Sequence, residues 1–274
     1  NDQYVNHIID DCKPSLFISN DHYNGVSMME DVIEDNIYND TIPIESKSEV
    51  SKLIYTSGTT GKPKGVMLTH ENILHNIKNL EKTFSDFQFD KTYTSLNILP
   101  WAHIYGLTTE LYYNMLNNNR IAISSGPLEF VKEMREINPD LLYLVPRILQ
   151  LVKTKIEFFD KPILRNLIPL LLKRIFGPNL LTIFIGGSQL DESTKQFYIN
   201  YGVNICEGYG CTETSPMVSV NHIHDPRNEQ SVGKILDDLI VEIIDNEICV
   251  AGPSIMKGYY NNEEATKRAI IEKN

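Results

Sequence analysis

Short apolar runs that alternate with helical stretches constrain the fold of this chain more than any other feature of its sequence. The runs at 120–124, 141–145 and 181–185 have the composition of buried strands. The stretches at 130–137 and 191–201 have the spacing of amphipathic helices. Strands that are separated by helices pair in parallel. The sequence therefore predicts an α/β fold, with parallel or mixed sheets flanked by helices.

The character of the sequence changes toward its end. Residues 239–250 have the pattern of two strands joined at Asp245 and Asn246, which predicts a hairpin. We expect this hairpin to form part of a small β-barrel. The chain is therefore predicted to have an α/β portion over residues 1–225 and a β-rich, barrel-like segment over residues 226–274.

A run of small hydroxyl and glycine residues lies between two apolar, strand-like segments. The run is Tyr55-Thr-Ser-Gly-Thr-Thr-Gly-Lys-Pro-Lys-Gly65. Glycine lets the backbone approach an anion closely, while the hydroxyl groups donate hydrogen bonds and the lysines supply positive charge. We expect the run to bind a nucleotide polyphosphate through Thr56, Ser57, Gly58, Thr59, Thr60, Gly61 and Lys64.

The spacing of this run differs from that of a Walker-type phosphate loop. A Walker loop has four residues between its glycines and a serine or threonine directly after its lysine. Here two residues separate Gly58 from Gly61, and Pro63 follows Lys62. The run also leads into the strand-like segment 66–68 rather than into a helix, so it is predicted to join strand to strand. A solvated hairpin tip is the alternative interpretation.

Two motifs that occur in order along the chain resemble those of the adenylate-forming (AMP-binding) superfamily, which contains acyl-CoA synthetases, luciferases and peptide-synthetase adenylation domains. The run at 55–65 is similar to the first signature, and Glu207-Gly-Tyr-Gly-Cys-Thr-Glu-Thr-Ser-Pro216 is similar to the second. Segment 99–107 is similar to the histidine-bearing acyl-side segment, and 186–190 to the adenine-side glycine turn. The resemblance covers nearly the whole chain and is greatest to long-chain fatty-acid–CoA ligases.

The resemblance implies a role for the residues of each motif. Nucleotide binding would also involve Gly187, Ser188, Gly208, Tyr209, Gly210 and Thr212. Tyr209 would stack on adenine, and Glu213 would bind Mg²⁺, which prefers carboxylate and phosphate oxygens. Catalysis would depend on Thr212, Glu213 and Lys64. The acyl group would be bound by Trp101, His103, Tyr105 and Gly106. Without the resemblance, Tyr209 and His103 would be interpreted as core residues and Glu213 as a surface acid.

The activity that the resemblance implies is that of an acid–thiol ligase. The complete enzyme would use ATP to convert a carboxylic acid, expected to be a long-chain fatty acid, to acyl-AMP, and would then form a thioester with coenzyme A. The implied cofactors and partners are ATP or AMP, Mg²⁺, coenzyme A and the small-molecule acid. An aryl-CoA ligase or another adenylation domain is an alternative within enzymes. A non-catalytic nucleotide- or acyl-binding module is an alternative outside them.

The family pattern also implies segments beyond those seen here. After Asn261 the family continues with a Thr-Gly-Asp segment, a hinge and a small mobile C-terminal domain. We therefore expect this chain to be a fragment of the large domain with impaired catalysis. Residues 1–225 would then hold partial nucleotide- and acyl-binding subdomains.

Composition limits the partners and the compartment that the sequence predicts. With 36 acidic and 25 basic residues the formal charge is −11, which disfavours nucleic acid as a partner. Four cysteines without paired spacing and the lack of a long apolar run lead us to expect a cytoplasmic protein. Residues 151–177 combine basic and apolar side chains, so peripheral membrane contact is an alternative. We do not favour it, because Pro162 and Pro169 interrupt any long amphipathic face.

Overall fold

The computed structural model describes residues 2–13, 18–19, 27–28, 46–56, 62–85, 91–222 and 231–271. Residues 57–61, which are predicted to bind phosphate, lie outside these ranges. The chain divides into a smaller unit, residues 1–69 with 257–274, and a larger unit, residues 70–256. The predicted boundary between residues 225 and 226 also lies outside the described residues and stays a prediction.

Helices and strands alternate through most of the described chain. The α-helices are α1 (Asp2–Cys12), α2 (His70–Thr83), α3 (Tyr113–Leu116), α4 (Phe130–Ile137), α5 (Pro146–Ile156), α6 (Ile168–Phe176), α7 (Glu192–Asn200) and α8 (Glu263–Ala269). A π-helix spans Tyr105–Tyr112, and 3₁₀ turns span Glu157–Phe159, Arg165–Leu167 and Thr212–Thr214. Within the ranges given above, no helix combines the length and the apolar character needed to cross a bilayer.

The strands are mostly short. They are β1 (Ile18–Ser19), β2 (Ser27–Met28), β3 (Val50–Thr56), β4 (Lys64–Thr69), β5 (Thr94–Asn97), β6 (Arg120–Ile123), β7 (Leu141–Leu144), β8 (Thr182–Ile185), β9 (Ile205–Gly210), β10 (Met217–Val220), β11 (Lys234–Ile235), β12 (Ile240–Ile244), β13 (Glu247–Ala251) and β14 (Gly258–Tyr259).

The smaller unit is built on an antiparallel sheet in the order β14-β4-β3. Strands β3 and β4 pair from Val50 opposite Thr69 to Thr56 opposite Lys64. The residues between Thr56 and Lys64 therefore join strand to strand, as the sequence predicts. The last strand, β14, pairs with β4 through Gly258 opposite Met67, so residues far apart in the sequence complete this sheet.

The larger unit contains a mixed sheet in the order β11-β10-β9-β8-β7-β5-β6. The pairs from β6 through β5, β7 and β8 to β9 are parallel, while β10 is antiparallel to both β9 and β11. Helices connect the parallel strands, as parallel pairing requires. The predicted α/β fold with a mixed sheet is confirmed.

Local signals explain where the connecting helices begin and end. The Asp191 carboxylate accepts a hydrogen bond from the Thr194 N–H at 2.9 Å, so it caps α7. Pro146 occupies the first turn of α5, where a missing N–H costs little. Asn138 follows α4 with a φ of 50°, a left-handed end that asparagine tolerates. These residues place the helices within a residue or two of the predicted stretches.

The two faces of the parallel sheet have different roles. Alternate residues of a strand point to opposite faces. Leu142, Leu144 and Ile183 join a buried apolar cluster with residues of α4, α5, α6 and α7. On the other face the Phe184 ring lies 5.1 Å, centroid to centroid, from the ring of Phe84, which follows α2. Helices thus contact both faces of the sheet.

The predicted hairpin near the end of the chain is also present. Strands β12 and β13 pair from Ile240 opposite Ala251 to Ile244 opposite Glu247. Asp245 and Asn246 have φ values of 49° and 64°, as the two-residue turn of a twisted hairpin requires. Its predicted membership of a β-barrel stays a prediction.

Candidate functional site

The predicted phosphate-binding run ends in two lysines of the smaller unit. Lys62 is exposed, and Lys64 begins β4. The Lys64 Nζ lies 4.6 Å from the centroid of the Tyr259 ring, which is a cation–π distance. The two lysines therefore place positive charge at the C-terminal end of the run. Tyr259 of β14 orients one of them, Lys64.

Helix α1 lies beside the same run. The Tyr55 hydroxyl donates a hydrogen bond of 2.5 Å to the Asp11 carboxylate, and the His7 Nε2 lies 3.2 Å from the Pro63 carbonyl oxygen. Burial, together with the Asp11 carboxylate, raises the pKa of Tyr55 above its ordinary value, so the phenol stays neutral and donates. The two contacts tie α1 to both ends of the run.

The second nucleotide motif begins in β9 and continues past its carboxyl end. Tyr209 and Gly210 end the strand, and the 3₁₀ turn 212–214 follows one residue later. Tyr209 is 42% exposed, so its aromatic face is accessible to a base. The Glu213 carbonyl accepts a hydrogen bond from the Met256 N–H at 2.8 Å, which anchors the turn through its main chain.

Two glycines of this motif are required by the strand that packs next to it. A Cβ atom on Gly210 would lie 1.8 Å from the Pro216 carbonyl oxygen. A Cβ atom on Gly208 would lie 1.9 Å from the Cε of Met217. A side chain at residue 210 would therefore collide with the backbone of the returning strand, whereas one at residue 208 would collide with the flexible end of a methionine. Packing against the returning strand thus accounts for glycine at these positions.

The glycine turn after β8 lies next to the second motif. Gly187 has a φ of 84°, which favours glycine, and it is exposed together with Ser188. Strands β8 and β9 are parallel neighbours, with Ile185 opposite Glu207. The segments that follow them therefore emerge at the same edge of the sheet, where α/β proteins bind their ligands.

The predicted acyl-side residues are distributed around a tight turn before the π-helix. The His103 N–H donates to the Pro100 carbonyl at 3.1 Å, and the His103 side chain is exposed. Trp101 is half-buried, and Gly106 is buried against Leu99 and Pro100. The Trp101 Nε1 and the Tyr105 hydroxyl are both buried. Tyr105 also lines the cavity described next.

A cavity of about 20 Å³, roughly the room that one water molecule needs, lies on the face of the sheet opposite the large apolar cluster. Its lining includes Leu80, Phe84, Tyr105, Tyr143, Phe184 and Met217. Gly208 also borders it, and the Tyr105 ring lies over Gly186, where a Cβ atom would be 3.0 Å from the ring. The Tyr105 ring and the Met217 side chain thus cover Gly186 and Gly208, respectively.

A buried acid that the sequence reasoning missed lies in the π-helix. Glu110 is 0% exposed, and its Oε2 accepts a hydrogen bond of 2.5 Å from the Asn97 amide. Burial raises the pKa of Glu110 to about 7, although the Asn97 hydrogen bond opposes the shift. Glu110 is the only charged residue in segment 104–119, and this pattern could have indicated a buried acid.

A buried ion pair was also missed. The Lys195 Nζ lies 2.6 Å from the Glu207 Oε2, and the side chains are 2% and 8% exposed. Lys195 lies in the first half of α7, shortly after the glycine turn, and Glu207 begins the second nucleotide motif. The pair therefore joins the two segments at the carboxyl edge. Sequence offers little signal for it, because a lysine in an amphipathic helix is usually solvated.

These features define an α/β protein with two glycine-containing segments and a cavity at the carboxyl edge of a parallel sheet. The family model of the AMP-binding enzymes matches residues 3–260, and the chain belongs to this family. The resemblance on which the sequence analysis relied is thereby confirmed. The roles of the individual site residues stay predictions.

Curated relatives in this family differ in the acids that they use. The chain is 30% identical over 248 residues to the long-chain-fatty-acid–CoA ligase of Bacillus subtilis (strain 168), covering 84% of this chain and 41% of the relative. It is 32% identical over 244 residues to luciferin 4-monooxygenase of Photuris pensylvanica, covering 82% of this chain and 41% of the relative. The chain thus spans about two fifths of the length of these relatives.

Solved structures show the same fold at low sequence identity. The o-succinylbenzoate coenzyme A synthetase (MenE) of Bacillus subtilis, solved with ATP and a magnesium ion, aligns with a TM-score of 0.75 at 19% identity. The alignment covers 98% of this chain and 57% of that one. The fold of this chain is therefore that of the large domain of adenylate-forming enzymes.

Proposed function

We propose that the full-length protein activates a carboxylic acid with ATP, giving an acyl-adenylate and pyrophosphate, and then transfers the acyl group to the thiol of coenzyme A with release of AMP. The observation that carries this proposal is the position of the glycine turn at 186–188 and of Tyr209 at one sheet edge, directly above a cavity. Membership of the AMP-binding family supports it. The chain spans less than half of the length of its curated relatives, so the activity of the whole protein is a proposal.

The residues present suit the nucleotide and its metal ion. Tyr209 offers an exposed ring for adenine, and Thr212 offers a hydroxyl for the α-phosphate. Lys64 would stabilise the pyrophosphate as it leaves. Among the described residues no group of three metal-binding side chains occurs. The carboxylate of Glu213 would suit Mg²⁺, which takes its other ligands from phosphate and water.

The class of acid is the finer part of the proposal. The sequence prediction is a long-chain fatty acid, which the similarity to the Bacillus subtilis ligase supports. An aryl or other compact acid is the second candidate. It is favoured by the aromatic rings that line the small cavity.

The test is acid-dependent exchange of labelled pyrophosphate into ATP by the full-length protein, across fatty, aryl and amino acids. Exchange with a carboxylic acid, followed by thioester formation when coenzyme A is added, is the expected result. Exchange that depends on amino acids would identify a peptide-synthetase type of domain instead. ATP binding without exchange for any acid would support the non-catalytic module and overturn the proposal.

A further inference from the structure

The buried salt bridge between helix α7 and strand β9 has no role in the site as described so far. The Lys195 Nζ lies 2.6 Å from the Glu207 Oε2, and the two side chains are 2% and 8% exposed. Charged side chains are almost never buried to this degree unless they are paired. The question is therefore what this pair contributes that an apolar contact would not.

Stability alone does not explain the pair. Because both charges lose their hydration, a buried ion pair can often be replaced by apolar side chains of similar volume without loss of stability. The surroundings suit such a replacement, since Ile205 on the same face of β9 and Phe197 of α7 belong to the buried apolar cluster. A salt bridge differs from apolar contact in being directional, so it fixes the relative positions of its two groups.

Glu207 lies close to both nucleotide segments of the sheet edge. It is opposite Ile185 on β8, and Ile185 is followed directly by the glycine turn 186–188. Along β9, Glu207 comes two residues before Tyr209, so the two side chains share a face of the sheet about 7 Å apart. The Glu207 carbonyl oxygen also accepts a hydrogen bond from the Asn221 N–H at 2.9 Å. A shift of Glu207 relative to β8 would therefore change the distance between Tyr209 and the glycine turn.

Lys195 is fixed to the segment that contains the glycine turn. Its N–H donates to the Asp191 carbonyl oxygen at 3.0 Å in the first turn of α7, and the Asp191 carboxylate caps this helix. The same carboxylate accepts a hydrogen bond of 3.0 Å from the Gln150 side chain of α5. Only two residues separate Ser188 of the glycine turn from Asp191. The salt bridge therefore connects the glycine turn, through the start of α7, to the strand that carries Tyr209.

We propose that Lys195 and Glu207 are positioning residues for the nucleotide site, and that their salt bridge sets the distance between Tyr209 and the glycine turn at which the adenine of ATP is bound. The inference rests on the proposed function, in which these two segments bind the adenine. Both side chains are almost fully buried, so the pair acts through Tyr209 and the turn rather than by contact with the nucleotide. Loss of the pair should weaken nucleotide binding even where the fold is kept.

The experiment compares the wild type with a double variant of the full-length protein. Lys195→Met with Glu207→Met removes both charges together, so neither is left buried alone and the variant should fold. The measurements are kcat, the KM for ATP and the KM for the acid in pyrophosphate exchange. We expect the KM for ATP to rise by about tenfold, the order expected when one aromatic stacking contact is lost. The KM for the acid should change far less.

Tyr198→Phe, in the same helix, is the matched control. The buried Tyr198 hydroxyl donates to the Leu149 carbonyl at 2.7 Å, so this variant removes a buried hydrogen bond of α7 and leaves the salt bridge intact. It should lower stability without changing the KM for ATP. A KM does not depend on the amount of folded protein, so a partly unfolded variant still reports on the site. Lys195→Arg keeps a cation beside Glu207, and its KM for ATP should be closer to that of the wild type than the KM of Lys195→Met.

Calorimetric titration with AMP separates this inference from the proposed function. Weaker AMP binding by the double variant than by the wild type and Tyr198→Phe would support the inference even if no acid gives pyrophosphate exchange. That lack of exchange would overturn the proposed function alone. A double variant with the wild-type KM for ATP and the wild-type affinity for AMP would overturn the inference. Equal KM values for ATP in Lys195→Arg and Lys195→Met would also overturn it, and a wild type that does not bind AMP would overturn both.

Discussion

The buried charges of the larger unit lie next to the segments that we expect to bind the nucleotide. Lys195 of α7 pairs with Glu207, the first residue of the second motif, and both side chains are almost fully buried. Glu110 lies in the π-helix that begins at Tyr105. A buried charge without its partner is strongly destabilising, whereas an exposed pair contributes little. Substituting one of these residues should therefore change the free energy of unfolding measurably.

Replacing Lys195 with methionine should destabilise the protein by about 3–5 kcal/mol, because Glu207 is left buried without its partner. The double variant Lys195→Met with Glu207→Met should recover most of this loss. Urea denaturation followed by circular dichroism measures the free energy of unfolding. Lys267→Met, which removes an exposed pair with Glu263, is the control and should have little effect. A Lys195→Met variant no less stable than this control would contradict the prediction.

Glu110 should make stability depend on pH. Its pKa is about 7 in the folded protein against an ordinary value of 4.5, so the folded state binds the proton more tightly. The protonated Glu110 therefore adds to the free energy of unfolding below pH 4.5. This contribution, about 3 kcal/mol in total, is lost as the pH rises from 4.5 to 7. Glu110→Gln should abolish this loss.

Unfolding free energies measured between pH 4 and pH 8 test the Glu110 prediction. The quantity to compare is the difference between the wild type and Glu110→Gln at each pH. Glu136→Gln, an exposed acid on α4, controls for the removal of one negative charge. A difference that does not change with pH would show that Glu110 titrates normally.

Lys64 and Glu213 should act mainly in the first half of the reaction. Both are predicted to stabilise charge on the triphosphate and its metal ion, which is present during adenylation and absent when acyl-AMP reacts with coenzyme A. Lys64→Ala or Glu213→Gln in the full-length protein should therefore depress adenylation far more than thioester formation from preformed acyl-AMP. Equal losses in both half-reactions would indicate a folding defect instead.

The pairing of β9 with β10 is the element that shapes the edge of the site. These strands are antiparallel, and the turn between them brings Pro216 and Met217 back onto the glycines of β9. A neighbouring backbone atom can move only if the strand moves, whereas the end of a methionine side chain can rotate away. The two glycines of the motif should therefore tolerate substitution differently.

Gly210→Ala should destabilise the protein more than Gly208→Ala. The new methyl group would meet the Pro216 carbonyl at 1.8 Å in the first variant and the flexible Cε of Met217 at 1.9 Å in the second. Strain of this kind costs about 1–3 kcal/mol when the core can adjust. Thermal unfolding measures both variants, and Met217→Ala should rescue Gly208→Ala only. Equal destabilisation by the two alanines would mean that β10 shifts as a whole.

At the scale of the whole chain, the nucleotide motifs are divided between the two units. The smaller unit holds the strands around the phosphate-binding run, and the larger unit holds the cavity, the glycine turn and Tyr209. With a formal charge of −11, the chain must hold an anionic nucleotide through local donors and cations rather than through its overall field. Ligand binding by the isolated chain therefore tests whether these local groups are sufficient to hold the nucleotide.

Acyl-sulfamoyl adenosines should bind the isolated chain with an affinity that depends on acyl size. The cavity is small and is lined by the stacked rings of Tyr143 and Phe184, so compact acyl groups should bind more tightly than a palmitoyl group. Isothermal titration across acetyl, octanoyl, palmitoyl and aryl members measures this dependence, with AMP as the reference. Affinity that rises steadily to palmitoyl would instead support the long-chain fatty acid that the sequence predicts.

Much of the fold could be predicted because its signals are local. Alternation of apolar runs with helical spacing indicates parallel strands, and Asp245-Asn246 between two apolar segments indicates a hairpin. The cavity could not be predicted in the same way. Tyr143, Phe184 and Cys206 come from three strands far apart in sequence, and only strand register places them in one row.

The sequence by itself determined the family, the α/β class and the segments at which a nucleotide is expected, because each depends on residues that are adjacent in the chain. The tertiary structure alone decided that Lys195 pairs with Glu207 and that Glu110 is buried. Burial and pairing arise from contacts between distant elements. Such contacts change the free energy of burying a charge or a hydroxyl group, and this free energy cannot be read from the sequence alone.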